Sequence, residues 1–312
     1  MTLVRQKEET ARRRTGGRAV RRVGVAVLAV TALATGCSAG DGEAVRGAAG
    51  QQPLQAPPAR ALDTYATHLK AERARIVAAA KRWGLAKPPL TAPAPPARKP
   101  HILPRKGFEV DDQRELGLPP VFTTIPTKNR VVFLTIDDGA EKDPAFLRMM
   151  SELKIPYTAF LSDYLAKEDY GYFKKMQRAG VTLNNHTLHH PYLPGLSYAG
   201  QKHEICGMQD VIEKQYDKRP VLFRPPYGNY NQDTLKAAKS CGVKYAPLWN
   251  AEVFVDRMDY REWDRDIHPG DIILTHFRGR EDWKGTMPDM IRTFMKYVTD
   301  KGYAVARLED YL

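Results

Sequence analysis

The chain has 312 residues, 43% hydrophobic and 27% charged, which excludes a wholly disordered protein and allows one or two domains with a substantial core. Lys and Arg outnumber Asp and Glu by 48 to 36, a net charge of +12, and such a balance ordinarily points to nucleic acid or an anionic surface. The charge is uneven: residues 1–37 carry +6, residues 38–125 carry +5 and residues 126–312 only +1, so the long C-terminal part does not read as a nucleic-acid binder.

In chain order, the first segment reads as an export signal. Arg12, Arg13, Arg14, Arg18, Arg21 and Arg22 precede an apolar run from Val23 to Ala34, then small residues and Cys37. The run is too short to span a bilayer comfortably. Leu33-Ala34-Thr35-Gly36-Cys37 resembles a bacterial lipobox, although Leu is more usual where Ala34 stands. That resemblance implies a signal peptide over residues 1–36 and lipidation of Cys37. An ordinary secretory signal with an incidental Cys is the other reading.

Residues 37–125 shift to Ala, Gly, Gln and Pro, with Pro88, Pro89, Pro93, Pro95, Pro96 and Pro100 close together. Little apolar surface is available there to offset chain entropy, so the segment is expected to be a flexible tether. It contains one helical pattern, over residues 59–85, where Leu62, Tyr65, Leu69, Ile76 and Val77 recur near helical spacing before Gly84 and Pro88. This helix reads as an exposed basic one, or as a contact to a wall polymer or membrane surface.

From Val121 onward short apolar runs alternate with helical patterns. Strands are expected at 131–136, 157–161, 181–183, 221–223, 243–248, 272–275 and 303–306, and helices near 143–154, 169–179, 200–216, 231–240 and 287–300. The alternation implies a parallel sheet or barrel, and in such folds chemistry gathers at the C-terminal ends of the strands. Four polar clusters fall there: Asp137-Asp138-Gly139, His186-Thr187-Leu188-His189-His190, Arg224-Pro225-Pro226-Tyr227-Gly228 and Thr275-His276. Each alone has a bland explanation, as a turn or a satisfied histidine. Together they suggest a metal hydrolase, because two imidazoles and a carboxylate are a common catalytic ligand set. A second carboxylate could then take a proton from water and a further His could protonate the leaving group.

These motifs, in this order and at these separations, resemble the polysaccharide deacetylases with a NodB-homology domain, carbohydrate esterase family 4. The resemblance covers residues 126–312 and implies an α/β fold, a distorted (β/α) barrel, preceded by the signal segment and the tether. It implies a hydrolase that removes acetyl groups from sugar polymers with a divalent metal, Zn2+ first and Co2+ or Ni2+ as alternatives. Carried over, it assigns Asp138, His186 and His190 as metal ligands, Asp137 as general base, and His276 as general acid. Arg224 would hold Asp137, and the Tyr227 N–H would meet the oxyanion. Leu274, Trp249 and Pro225 would line the acetyl pocket, and Thr187 would support the His loop. His189, between the ligand pair, is expected to be structural. The family's acidic fourth motif is weak here: Leu248-Trp249-Asn250-Ala251-Glu252 falls in its place without an Asp-Trp pair, leaving Glu252 and Asp256 as candidates for the acid that tunes the Arg.

With Cys37 assigned to lipid, Cys206 and Cys241 remain, and outside the cytoplasm an even pair can form a disulfide; two buried free thiols are the alternative. A lipid anchor on the outer face of the cell membrane and a long tether suit a cell-wall substrate, so N-acetylglucosamine of peptidoglycan is the favoured target. Chitin oligomers or acetyl xylan are the runner-up, and a non-catalytic glycan-binding lipoprotein is the competing class. The expected protein is a monomer, exported or secreted, with an acetylated polysaccharide as partner and no nucleic acid.

Overall fold

The computed structural model describes residues 59–312, with side chains from Asp63 onward. The expected signal peptide and Cys37 lie outside the described residues. No helix among the described residues is long and apolar enough to cross a membrane.

The chain enters through α1 (Ala59–Arg82) and meets the barrel at β1 (Val121–Phe122). Then follow β2 (Val131–Asp138), α2 (Pro144–Leu153), β3 (Thr158–Leu161), α3 (Asp163–Ala166), α4 (Tyr170–Arg178), β4 (Thr182–Asn185) and α5 (Tyr198–Tyr216). The second half has α6 (Gln232–Ser240), β5 (Ala246–Pro247), β6 (Ala251–Val253), β7 (Met258–Tyr260), β8 (Ile272–His276), α7 (Arg280–Trp283), α8 (Met287–Asp300) and β9 (Ala304–Val305). Helix starts are chemically marked: Asp143 caps α2 ahead of Pro144, Ser197 caps α5, and Asn231 with Thr234 and Thr286 with Asp289 form capping boxes on α6 and α8.

The main sheet has the order β4-β3-β2-β8-β6-β7, parallel except for the β6–β7 hairpin, and β9 pairs the start of β2. Bridges from Asn185 to Phe223 and from Leu222 to Tyr245 continue the wall beyond β4, β1 pairs β5, and Thr124 meets Asp271 beside β8. The wall therefore closes on itself as a distorted barrel. Strand 221–223 contributes only bridges, and neither the short β6–β7 hairpin nor α7 was expected from the apolar pattern.

Strand β2 shows how the pattern builds the site. Val131 and Phe133 point inward with Phe160, Leu222 and Ile272, whereas Val132, Leu134 and Ile136 point outward against α2 and α8. This alternation places Thr135 and Asp137 on the inner face, above the apolar plug.

The described part of the expected tether, residues 63–120, is docked along the domain. Ala79 and Ala80 are buried in the outer core, Trp83 donates from Nε1 to Glu152 at 2.8 Å, and Arg292 donates to the Trp83 carbonyl at 3.1 Å. Ile102 and Leu118 are buried against the barrel, and the Arg105 N–H donates to the Val121 carbonyl at 2.8 Å. Proline-rich chain can dock this way because it has less entropy to lose than flexible chain. The barrel wall also begins earlier than residue 126: Val121, Phe122 and Ile125 are fully or almost fully buried.

Candidate active site

The site lies at the C-terminal ends of β2, β4 and β8. The β2–β8 register sets Asp137 opposite His276 and Thr135 opposite Leu274, while the β6–β8 register sets Glu252 opposite Leu274. The inner floor thus carries Thr135, Asp137, Leu274 and His276 from two adjacent strands. His186 follows β4 directly, its N–H donating to the Leu161 carbonyl at 3.0 Å.

Three ligand atoms converge. Oδ1 of Asp138 lies 3.7 Å from His186 Nε2 and 3.5 Å from His190 Nε2, and the three groups together lie within 4.8 Å of one another. Nδ1 of His186 donates to the Arg224 carbonyl at 2.7 Å, which leaves its Nε2 as the lone-pair nitrogen. Burial pushes both imidazoles down to about 4, so each is neutral near pH 7. Asp138 Oδ1 is buried without a hydrogen-bond donor, an orphan that a cation would satisfy. The donor set, its protonation and its geometry all fit a divalent metal.

Asp137 stands beside this cluster, with Oδ2 3.6 Å from His186 Nε2. Burial pushes its carboxyl up to about 6, against the opposing pull of Arg224. Arg224 is fully buried and wholly committed: Nη1 donates to Asp137 Oδ1 at 2.8 Å and to Thr135 Oγ1 at 2.9 Å, and Nε donates to the Pro247 carbonyl at 2.8 Å. Its plane packs between Phe160 and Trp249, at 4.4 and 5.7 Å from the ring centroids. A lysine could not occupy this place, because the planar fork is used in several directions.

His276 meets the acid of the weak fourth motif. Its Nδ1 lies 3.3 Å from Glu252 Oε1. Burial alone would lower its pKa, but Glu252, Asp137 and Asp138 outweigh burial and raise it. Of the two acids expected to tune the Arg, Glu252 therefore contacts the histidine, while Asp256 is exposed and pairs with Arg257. The distinction was invisible in the sequence because it depends on which neighbouring strand β6 faces.

Backbone strain is concentrated here. Asp138, Thr187, His190 and Tyr227 have φ of 80°, 73°, 57° and 60° without being glycine, conformations that persist only when surroundings impose them. Thr187 Oγ1 accepts the His190 N–H at 3.0 Å, and Ser162 Oγ donates to the His186 carbonyl at 2.7 Å, fixing the His loop. Tyr227 sits in the turn Pro226–Gly228; the N–H groups of Gly228 and Asn229 donate back to Pro225 and Pro226, while the Tyr227 N–H has no backbone acceptor. The Tyr227 ring is exposed and lies 4.5 Å from the His190 ring. Pro225 and Leu274 are buried, and Trp249 lies under Gly228, where a Cβ would come within 3.2 Å of its ring.

His189 points away, with Nδ1 2.9 Å from Glu204 Oε1. A disulfide joins Cys206 on α5 to Cys241 at the end of α6. Arg278, which sequence reasoning passed over, donates from Nη2 to Asp138 Oδ2 at 2.7 Å and so turns Oδ1 toward the imidazoles. Its only sequence signal is a position two residues after His276.

Comparison with known proteins agrees with this geometry. A family model described as polysaccharide deacetylase matches residues 124–246. An uncharacterized protein of Streptomyces coelicolor is 39% identical over 203 residues, 65% of this chain and 81% of that protein. The peptidoglycan-N-acetylmuramic acid deacetylase PdaA of Bacillus subtilis is 26% identical over 198 residues, 60% of this chain and 73% of that one. In fold, the chain resembles the crystal structure of a peptidoglycan N-acetylglucosamine deacetylase, with a TM-score of 0.56 at 21% identity, covering 66% of this chain and 97% of that chain.

Proposed function

Because the chain belongs to the polysaccharide deacetylase family, a family of hydrolases acting on carbon–nitrogen bonds in sugars, we propose that it deacetylates acetamido sugars of peptidoglycan, N-acetylglucosamine first among them. The observation that carries the mechanism is the pairing of Asp137 with His276 across β2 and β8 beside the Asp138, His186 and His190 cluster. Those three residues would hold the metal, Zn2+ being our choice. A bound divalent cation supplies Lewis acidity, acidifying water and polarising the acetamide carbonyl.

Asp137 accepts the proton of the attacking water, and Arg224 keeps its Oδ1 engaged so that Oδ2 faces the cluster. The free Tyr227 N–H donates to the developing oxyanion. His276, whose affinity for a proton Glu252 strengthens, gives its proton to the departing amine as the carbon–nitrogen bond breaks. Leu274, Trp249 and Pro225 surround the acetyl methyl. Outside the described residues, lipidation of Cys37 would keep the enzyme at the outer membrane face.

The test is acetate release from peptidoglycan and from chitin oligomers with added Zn2+, for the full chain and for Asp137→Asn. Wild type is expected to release acetate in a metal-dependent way, and the variant at a rate lower by roughly 10²–10⁴. No metal-dependent acetate from any acetylated glycan would sink the enzyme mechanism in favour of a glycan binder.

A further inference from the structure

Beside the oxyanion turn stands a cation with no ion pair: Glu252, the acid that acts on it, is in contact with His276 instead. Arg261, in the connection from β7 to β8, packs its guanidinium on Trp249, with Cζ 4.3 Å from the ring centroid. Its Nη2 lies 3.8 Å from where a Cβ of Gly228 would stand, one residue beyond Tyr227. Among the described residues its guanidinium makes no hydrogen bond and no ion pair; the residue is exposed overall, while partial burial of the head beside Trp249 and the nearby Arg105 pull its pKa down.

The nearest acid in sequence could have neutralised it, but Glu262 is otherwise engaged. Arg105 of the docked N-terminal segment donates from Nη2 to Glu262 Oε1 at 2.5 Å and from Nη1 to Asn250 Oδ1 at 3.0 Å and Thr123 Oγ1 at 2.8 Å. Arg261 is thus left with open donor edges at the rim of the acetyl pocket. Two residues on, Trp263 is 91% exposed, so its ring is open to a ligand's apolar face.

We propose that Arg261 is a specificity residue that reads a carboxylate on the substrate next to the reacting acetamide, with Trp263 offering its face to a flanking sugar. This deepens the peptidoglycan reading and rests on it. A guanidinium already stacked on an aromatic ring has lost little freedom and presents a fork matched to a carboxylate. In a wall glycan the carboxylate has two sources: the lactyl ether of muramic acid, on the carbon adjacent to the acetamide-bearing one, or the attached peptide. Neutral chitin oligomers have neither.

The experiment measures kcat/KM for acetate release from three probes: peptide-free glycan strands with free lactyl carboxylates, peptide-bearing strands, and a chitin tetramer. The expected result is a wild-type preference for a carboxylate-bearing probe over chitin. Arg261→Gln should reduce that ratio about 10-fold, mainly through KM, and Arg261→Lys should keep part of it. Loss of the preference on peptide-free strands identifies the lactyl group, and loss only on peptide-bearing strands identifies the peptide. An unchanged ratio in Arg261→Gln overturns the assignment, as does a wild type indifferent to the carboxylate. If no probe releases acetate, the catalytic proposal fails; titrating peptide-free strands into Asp137→Asn with and without Arg261→Gln then decides this one through Kd.

Discussion

Around Arg224 the polar groups are buried and nearly all answered by a named partner, whereas along residues 63–120 the anchors are isolated side chains separated by exposed ones. In the first region one guanidinium ties together Asp137, Thr135 and Pro247. In the second, Ala79, Ala80 and Trp83 meet one patch of the domain, Ile102 a second and Leu118 a third. A network fails when any member is removed, because a buried group is left unpaired. A series of separate anchors fails only when many are lost together.

The largest test of that contrast is removal of residues 63–120. Ile102 and Leu118 at about 1.5–3 kcal/mol each, with smaller shares from Ala79, Ala80 and Trp83, amount to about half the stability of an ordinary domain, so the shortened chain should unfold at a much lower urea midpoint; an unchanged midpoint would erase the contrast. Next, Arg224→Lys alone should cost about 3 kcal/mol, since it leaves several buried partners unmet, read from the same urea curves. A smaller effect is expected of Arg278→Gln, which frees Asp138 Oδ2: metal Kd should weaken about 10–100-fold by titration with little change in unfolding midpoint. Equal Kd values would mean Arg278 does not orient the ligand.

The smallest effect concerns His268, half-exposed beside Asp264 and Asp271. Burial lowers its pKa, but Asp271 and Asp264 outweigh burial and raise it. The folded state therefore binds the proton more tightly than the unfolded state, giving stability that is present below the ordinary pKa of about 6.5 and lost as pH rises through the folded value. Relative to His268→Gln, the wild-type melting temperature should be higher near pH 5.5 and the gap should close by about pH 8.5. A gap that widens with pH would reverse the sign.

Much of the candidate site was legible because the chemistry restricts it: Asp137, Asp138, His186, His190, Arg224, Tyr227 and His276, drawn from separate motifs, stand together in the fold. Their surroundings were less legible. Arg278 and Arg261 take their significance from Asp138 and Trp249, residues distant in sequence, and no local pattern marks them. Glu252 could be nominated but not assigned a partner until β6 was set beside β8. In residues 63–120 the helix expected at 59–85 stands as α1, but its docked face is not the expected stripe: Tyr65, Leu69 and Val77 of that stripe are exposed while the small Ala79 and Ala80 are buried, and beyond the helix Ile102 and Leu118 follow no period because burial there is conferred by the domain they rest on.

That docking also changes a distance. Read as free chain, residues 37–125 would span about 300 Å at full extension. With the chain docked from the second half of α1, a lipid on Cys37, as proposed, would be joined to the start of that helix by the stretch from Cys37 to Ala59, about 75 Å at full stretch. An enzyme moored in that way would reach glycan near the membrane in preference to the outer layers of a wall.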